Sequence, residues 1–359
     1  MDRTSQTALV LSGGNALGAY LAGAYEHLHR NNIEPDWIVG ASIGAVTGAI
    51  LAGNAPEQRL PKLSQFWAEA MVHTSGSLSV TEKGRQIYNG LHTALTLMFG
   101  RPSIFRDRLP GLWSLLPSVP NDIALYDQTP LRRTLERLVD FDRLNRAAGR
   151  FTAVCVDIET GDEVYFDNTR DTIRPEHIVA SAAIPPAFPP VEIDGRLLCD
   201  AGYTNNLPLD VPLREQADRD LICIAVELCS LRAPRPASLD AVAERAHDLI
   251  FASATRRTIE GLKREYALRE HYEPGGPRVR LVHLAYQTAG HELAAKTFDY
   301  SPSSIRDRWA AGEHDMANGL ALLEKAGDNE GRFQYLAVDP LLAAAAAEAG
   351  AKRSGEIRF

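Results

Sequence analysis

The stretch Asp36-Trp37-Ile38-Val39-Gly40-Ala41-Ser42-Ile43-Gly44-Ala45 constrains this chain more than any other. It opens with an apolar run, Trp37 to Val39, long enough for one buried strand. It closes on residues small enough for tight helix packing: Gly44, Ala45, Gly48, Ala49 and Ala52. Between the two lies G-x-S-x-G, with Ser42 where strand becomes helix. A serine there is held on a sharp, strained turn, and glycines two before and two after clear room for it. Its hydroxyl then stands beyond the sheet edge, at the positive end of the following helix. The pattern points to a nucleophile. By itself it is also compatible with a chance match in a chain rich in glycine and alanine.

A second unit of the same kind precedes it. Thr7 to Leu11 reads as a buried strand, followed by the turn Ser12-Gly13-Gly14-Asn15-Ala16-Leu17-Gly18 and a helix from about Ala19 to His29. Strand, glycine turn and helix, twice over, make a βαβ unit and imply a parallel sheet. Both turns fall at the carboxyl ends of parallel strands, where open α/β sheets place their ligand sites. As a Walker phosphate loop the first turn fails, because no Lys-Ser/Thr follows its last glycine. As a dinucleotide fingerprint it lacks a glycine at Asn15, although Glu34 and Asp36 stand near the spacing of a ribose-binding acid. The third reading is an oxyanion hole, with the backbone N–H groups of Gly13, Gly14 and Asn15 facing an alkoxide beside Ser42. The plain alternative is a tight turn with no further role.

Composition narrows the rest. At 359 residues the chain is long enough for one large α/β domain or two smaller ones. A net charge of −8 with no Lys/Arg block argues against a nucleic-acid partner. Cys155, Cys199, Cys223 and Cys229 lack metal-ligand spacing, so no metal is expected and buried reduced thiols are the reading. Met1 to Gln6 is short and polar, and no run of 18 apolar residues exists to span a bilayer; a cytoplasmic location is the expectation.

Further along, residues 55–92 look helical. Leu95–Phe99 then leads through Arg101, Arg106 and Arg108 into an uncharged apolar stretch, Leu109 to Pro120, whose prolines prevent a regular helix. That stretch is either tucked under the helix expected at 131–144 or a lid over an apolar pocket, with the arginines placed to meet anionic head groups. Strands are expected at Phe151–Ile158, Asp162–Phe166, Gly195–Asp200, Leu221–Leu228 and Val279–Tyr286. Long helical patterns run from Ser238 to Tyr272 and from Thr297 to Leu323, with Pro302 at a helix start after a Ser301 cap.

Four ordered segments carry a resemblance: S-G-G-N-A-L-G at 12–18, G-A-S-I-G at 40–44, A-S-A-A-I-P-P-A-F-P-P-V at 180–191 and D-A-G at 200–202. Together they resemble the patatin-like phospholipase family, lipid acyl hydrolases with a Ser-Asp dyad. The match covers roughly residues 7 to 215. Residues 95–145 and 297–312 also resemble a bacterial subgroup whose C-terminal extension has no assigned role. The resemblance implies a three-layer α/β fold with a mostly parallel central sheet flanked by helices, related to α/β hydrolases but without their catalytic histidine. It implies a catalytic domain over 1–230, including the apolar loop region 95–120. A mainly helical extension over 231–359 would pack on that domain, with a partly disordered tail at 341–359.

Carried over by position, Ser42 is the nucleophile and Asp200 the base. Gly13, Gly14 and Asn15 form the oxyanion hole, and Gly18, Gly40, Gly44 and Gly202 support the motifs. No cofactor is implied. The expected partner is an acyl lipid or ester, with peripheral contact to a membrane. Three positions depart from the family pattern: Asn15 for a usual glycine, Leu17 for a commonly basic residue and Ala201 for a frequent glycine. A buried carboxylate can act as the base because burial raises its proton affinity. Asp157 and Asp210 are alternative acids, and His177, the histidine nearest a motif, is expected at a surface or a helix start. Two other functions share these motifs: an acyltransferase or thioesterase using the same serine elbow, and a regulatory protein with weak turnover.

Overall fold

Strands whose residues are buried on both faces form the middle of the molecule. The computed structural model describes residues 5–71, 81–146, 149–215, 219–327 and 331–338; the tail expected at 341–359 lies outside them. Strands β1 (Gln6–Leu11), β2 (Trp37–Ala41), β3 (Arg150–Asp157), β4 (Glu163–Asp167), β5 (Val191–Ile193), β6 (Arg196–Asp200), β7 (Leu221–Glu227), β8 (Val279–Ala285) and β9 (Phe333–Val338) make one sheet. Its order is β9-β8-β7-β1-β2-β3-β6-β5, with β4 also paired to β3. From β9 to β3 every neighbour is parallel; β4, β5 and β6 pair antiparallel. Near-continuous apolar runs such as Leu221–Glu227 suit strands covered by helices on both faces.

Helices α1 (Ala19–Arg30), α2 (Ile43–Ala52), α3 (Pro56–Ala70), α4 (Glu82–Phe99), α5 (Thr129–Leu138), α6 (Pro175–Ser181), α7 (Leu239–Tyr272) and α8 (Pro302–Ala326) flank it. Ser238 caps α7 and Ser301 caps α8, each accepting a backbone N–H from the first turn. Helices α1 and α8 touch backbone to backbone: a Cβ at Gly23 would stand 1.8 Å from Trp309 O, and one at Gly312 would stand 2.0 Å from Tyr20 O.

One sequence expectation needs correction, and one alternative left open is decided. The helix read over 131–144 is two helices, Thr129–Leu138 and Phe141–Arg146. Val139 is extended, and the Asp140 side chain accepts from Arg143 N, restarting the helix. The stretch Leu109–Pro120 does not tuck beneath them. It carries a short 3-10 turn, Gly111–Leu115, and its large apolar side chains face outward. After residue 230 the chain supplies, besides helices α7 and α8, the expected strand β8 and a further strand, β9, which forms one sheet edge.

Candidate active site

Ser42 occupies the turn between β2 and α2 at φ 57°, ψ −128°. A non-glycine residue in that region carries roughly 1–3 kcal/mol of strain, tolerated only where the surroundings fix it. The surroundings are glycines. A Cβ at Gly40 would lie 2.4 Å from Gly44 C, and a Cβ at Gly44 would lie 2.2 Å from Leu11 O. A Cβ at Gly18 would strike the Ile43 side chain at 2.5 Å. The Ser42 amide donates to Ser181 O at 3.1 Å and lies 3.1 Å from Ser181 Oγ, which itself donates to Val154 O at 2.7 Å. Helix α6, in the A-S-A-A-I-P-P segment, therefore braces the turn from the side.

The register explains how an aspartate 158 positions later reaches the same place. Strand β4 occupies one edge of β3, from Thr152 to Val156. On the other edge β2 pairs up to Ala41↔Val154, where its chain turns away into α2. The next residue, Cys155, pairs with Asp200 of β6 instead. Asp200 thus fills the sheet position that Ser42 would have held had β2 continued.

The Asp200 side chain is buried. Its Oδ1 accepts the Gly202 amide at 2.7 Å, while Oδ2 has no hydrogen-bond partner among the described residues. Burial pushes the carboxyl up to about 7, partly offset by the nearby Ser42 hydroxyl and the Gly202 amide. Ala201 adopts φ −76°, which any residue takes, so alanine in place of glycine strains nothing.

The glycine loop lies beside Ser42: a Cβ on Gly13 would come within 2.8 Å of Ser42 Cβ and 2.5 Å of Asn206 Oδ1. The Gly13 amide itself is committed, donating to Asn206 O at 3.2 Å. That removes one of the three expected oxyanion donors and leaves the amides of Gly14 and Asn15. Asn15 sits at φ 52°, a left-handed conformation that asparagine tolerates better than most residues. Its presence at a usual glycine position therefore preserves the backbone path. Leu17, in place of a basic residue, is buried in the core.

Gly13, Gly14, Asn15, Ser42 and Asp200 line one cavity of about 260 Å3. Its walls are mostly apolar: Ile184, Pro185, Pro186 and Ala187 on one side, Tyr203, Phe251 and Phe298 on the other. Tyr203 and Phe251 stack at 5.4 Å. His247 and Cys229 also line it, and no motif around either signalled this; they arrive on α7 and after β7, by tertiary packing alone. Ligand atoms of Cys229, His247 and Asp248 lie within 4.8 Å of one another. The Lys296 ammonium, 3.0 Å from Asp248, already supplies that cluster with a cation.

The other candidate acids and the histidine lie elsewhere. Asp157 pairs with Arg196 at 2.9 Å, and Asp210 accepts from Asn205 at 3.0 Å. His177 is buried at the start of α6, stacked on Phe166 at 4.0 Å, with Nδ1 accepting the Arg174 amide. Burial lowers its pKa, which suits a neutral helix-start acceptor.

Beside the cavity stands the apolar arm. Leu125 and Tyr126 donate backbone N–H groups to Pro186 O and Ala187 O in the cavity wall, at 3.1 and 2.9 Å. Beyond that seal Leu109, Leu112, Trp113, Leu115, Leu116 and Ile123 are exposed, Trp113 by 60% and Leu115 by 75%. Met98 and Phe99 at the end of α4 are exposed too. The arginines are not free for head groups as expected. Arg101 is buried, Arg106 pairs with Asp127 at 2.7 Å and Arg108 with Asp122 at 2.9 Å.

Comparison with known proteins shows the family. The sequence pattern of a family described as patatin-like phospholipase matches residues 9–213, and a second, described as patatin phospholipase, matches 260–329. Patatin-like phospholipase domain-containing protein 7 of Rattus norvegicus is 27% identical over 210 residues, 57% of this chain but 12% of that protein. An uncharacterized NTE family protein of Mycobacterium tuberculosis is 28% identical over 227 residues, 62% of this chain and 49% of its own length. The chain thus spans half or less of these relatives. Among solved structures, VipD from Legionella pneumophila aligns with a TM-score of 0.45 at 14% identity, over 89% of this chain and 67% of that one.

Proposed function

Since the chain belongs to the patatin-like phospholipase family, we propose that it hydrolyses carboxylic ester bonds of acyl lipids through Ser42 and Asp200. One observation carries this reading: the strained serine turn and a buried carboxyl with a free oxygen open into the same apolar-walled cavity. Ser42 Oγ attacks the ester carbonyl as Asp200 Oδ2 takes its proton. The carbonyl oxygen, gaining charge, is received by the amides of Gly14 and Asn15. The alkoxide leaves with the proton from Asp200, and an acyl-enzyme remains. Water then attacks it by the same route in reverse roles.

A carboxyl held near 7 suits both halves of that cycle, because it takes and returns a proton near neutral pH. Apolar walls fit an acyl chain, and the exposed arm beside them fits the acyl region of a lipid aggregate. With its arginines already paired, the arm meets that surface by apolar burial more than by charge. Among the described residues no helix is long and apolar enough to cross a membrane, so the contact proposed is peripheral.

Fluorophosphonate labelling with site mapping by mass spectrometry, alongside turnover of a short chromogenic ester, tests the assignment. The expected result is adduct on Ser42 in the wild type, with no adduct and no turnover in a folded Ser42→Ala variant. Normal turnover by that variant sinks the reading.

A further inference from the structure

The loop that would receive the oxyanion is held by the part of the chain that follows the sheet's eighth strand. Asn15, in its left-handed conformation, accepts through Oδ1 the hydroxyl of Tyr300. Tyr300 is fully buried and stacks on Trp67 at 6.4 Å, so its position is set by the core. One residue on, Ala16 O accepts from Arg308 Nη1 at 3.2 Å. Arg308 is itself fully buried and fixed by Glu292 at 2.7 Å and by the carbonyls of Asp299 and Lys296 at 2.9 and 3.1 Å. The other end of the loop is tied to the Asn206 carbonyl through the Gly13 amide. The amides of Gly14, Asn15 and Ala16 have no partner among the hydrogen bonds described, and of these Gly14 and Asn15 line the cavity with Ser42.

A loop of glycines and an asparagine has little intrinsic stiffness, and an oxyanion hole loses most of its effect if its donors can swing. We propose that Tyr300 is a positioning residue. By tethering the Asn15 side chain, with Arg308 holding the next carbonyl, it fixes the Gly14 and Asn15 amides for the oxyanion formed at Ser42. This rests on the esterase reading above and assigns a task to the segment around residues 296–308. Burial raises the Tyr300 hydroxyl's pKa, so it stays protonated and donates.

Tyr300→Phe deletes the hydroxyl and keeps the ring. We expect kcat on a soluble short ester to fall about tenfold, less than the loss of a whole oxyanion donor, with KM and melting temperature close to wild type. Fluorophosphonate labelling of Ser42 should slow by a similar factor, since the adduct places a phosphoryl oxygen in the same hole. In an Asn15→Gly background, where glycine keeps the backbone conformation and removes the acceptor, Tyr300→Phe should cost no more than about twofold further, as coupled residues do. An unchanged kcat, a rise in KM alone, or equal losses in both backgrounds overturns the proposal. Should Tyr300→Phe melt early, Asn15→Gly alone decides, by the same kcat loss or its absence. Hydrogen exchange across residues 12–18 answers independently of turnover. Faster exchange there in Tyr300→Phe, with the sheet unchanged, supports the tether, and unchanged exchange refutes it. If wild type neither hydrolyses the ester nor takes the probe, the esterase reading fails while this last measurement still judges the tether.

Discussion

The turn at Ser42 and the arm between Arg106 and Tyr126 flank one cavity and are held in opposite ways. At the turn the tightest approaches are backbone against backbone: Gly40 meets Gly44, and Gly44 meets Leu11. Nothing there has room to move. The arm is fastened at its base by the Arg106–Asp127 and Arg108–Asp122 pairs, a two-residue ladder and two hydrogen bonds to the cavity wall. Past that base its apolar side chains touch solvent. The contrast fits a division of labour. Attack on a carbonyl tolerates errors of a fraction of an ångström, whereas contact with a lipid aggregate needs only apolar surface free to be covered.

Four changes sharpen or break that contrast. Asp200→Asn should lower turnover by about a thousandfold or more and suppress fluorophosphonate labelling strongly, because the buried base is lost. In the wild type, activity should rise as pH passes through about 7, where the Asp200 carboxyl ionises. Stability should move the other way. The folded carboxyl holds its proton more tightly than the unfolded one, so this group's contribution is full at low pH and lost as pH rises from about 4 to about 7. The Asn variant should lack that loss and melt higher than wild type at pH 8. Unchanged labelling, or a pH profile flat through neutrality, would assign the base elsewhere.

Gly44→Ala should destabilise the fold by roughly 3 kcal/mol, read from the denaturant midpoint, because its Cβ would stand 2.2 Å from a carbonyl oxygen with no room to yield. A near-neutral result would mean that the turn is looser than its contacts imply.

Trp113→Ser with Leu116→Ser should leave the melting temperature within a degree or so, since exposed sites change stability by about 0.5 kcal/mol at most. Hydrolysis of aggregated long-chain lipid should fall about tenfold while a soluble short ester is still cleaved, as expected when apolar area is removed from an interfacial contact. Parallel loss of both activities would remove the arm from any role in substrate access.

The smallest effect belongs to His177→Gln. Turnover should stay within about tenfold, because loss of a general base costs more than that. The melting temperature should drop modestly with the lost helix-start bond to Arg174.

Wherever a residue's neighbours in sequence set its environment, the sequence alone was informative. G-A-S-I-G carries its own glycines, so the strained turn at Ser42 could be anticipated from five letters. The apolar runs around 7–11, 37–41 and 221–227 announced a covered, mostly parallel sheet. Pro302 after Ser301 marked a helix start for the same local reason. Other features depended on partners far along the chain. The commitment of the Gly13 amide to Asn206, the pairing of Arg106 and Arg108, and the arrival of His247 and Phe251 at the cavity were decided by packing. So was the placement of Asp200, which depends on β2 stopping at Ala41 and β6 taking the vacant edge beside Cys155. Local sequence fixes backbone conformation because it fixes which φ and ψ are open. Which donor is already spent, and which carboxylate is stripped of water, depends on groups that meet only when the whole sheet has closed.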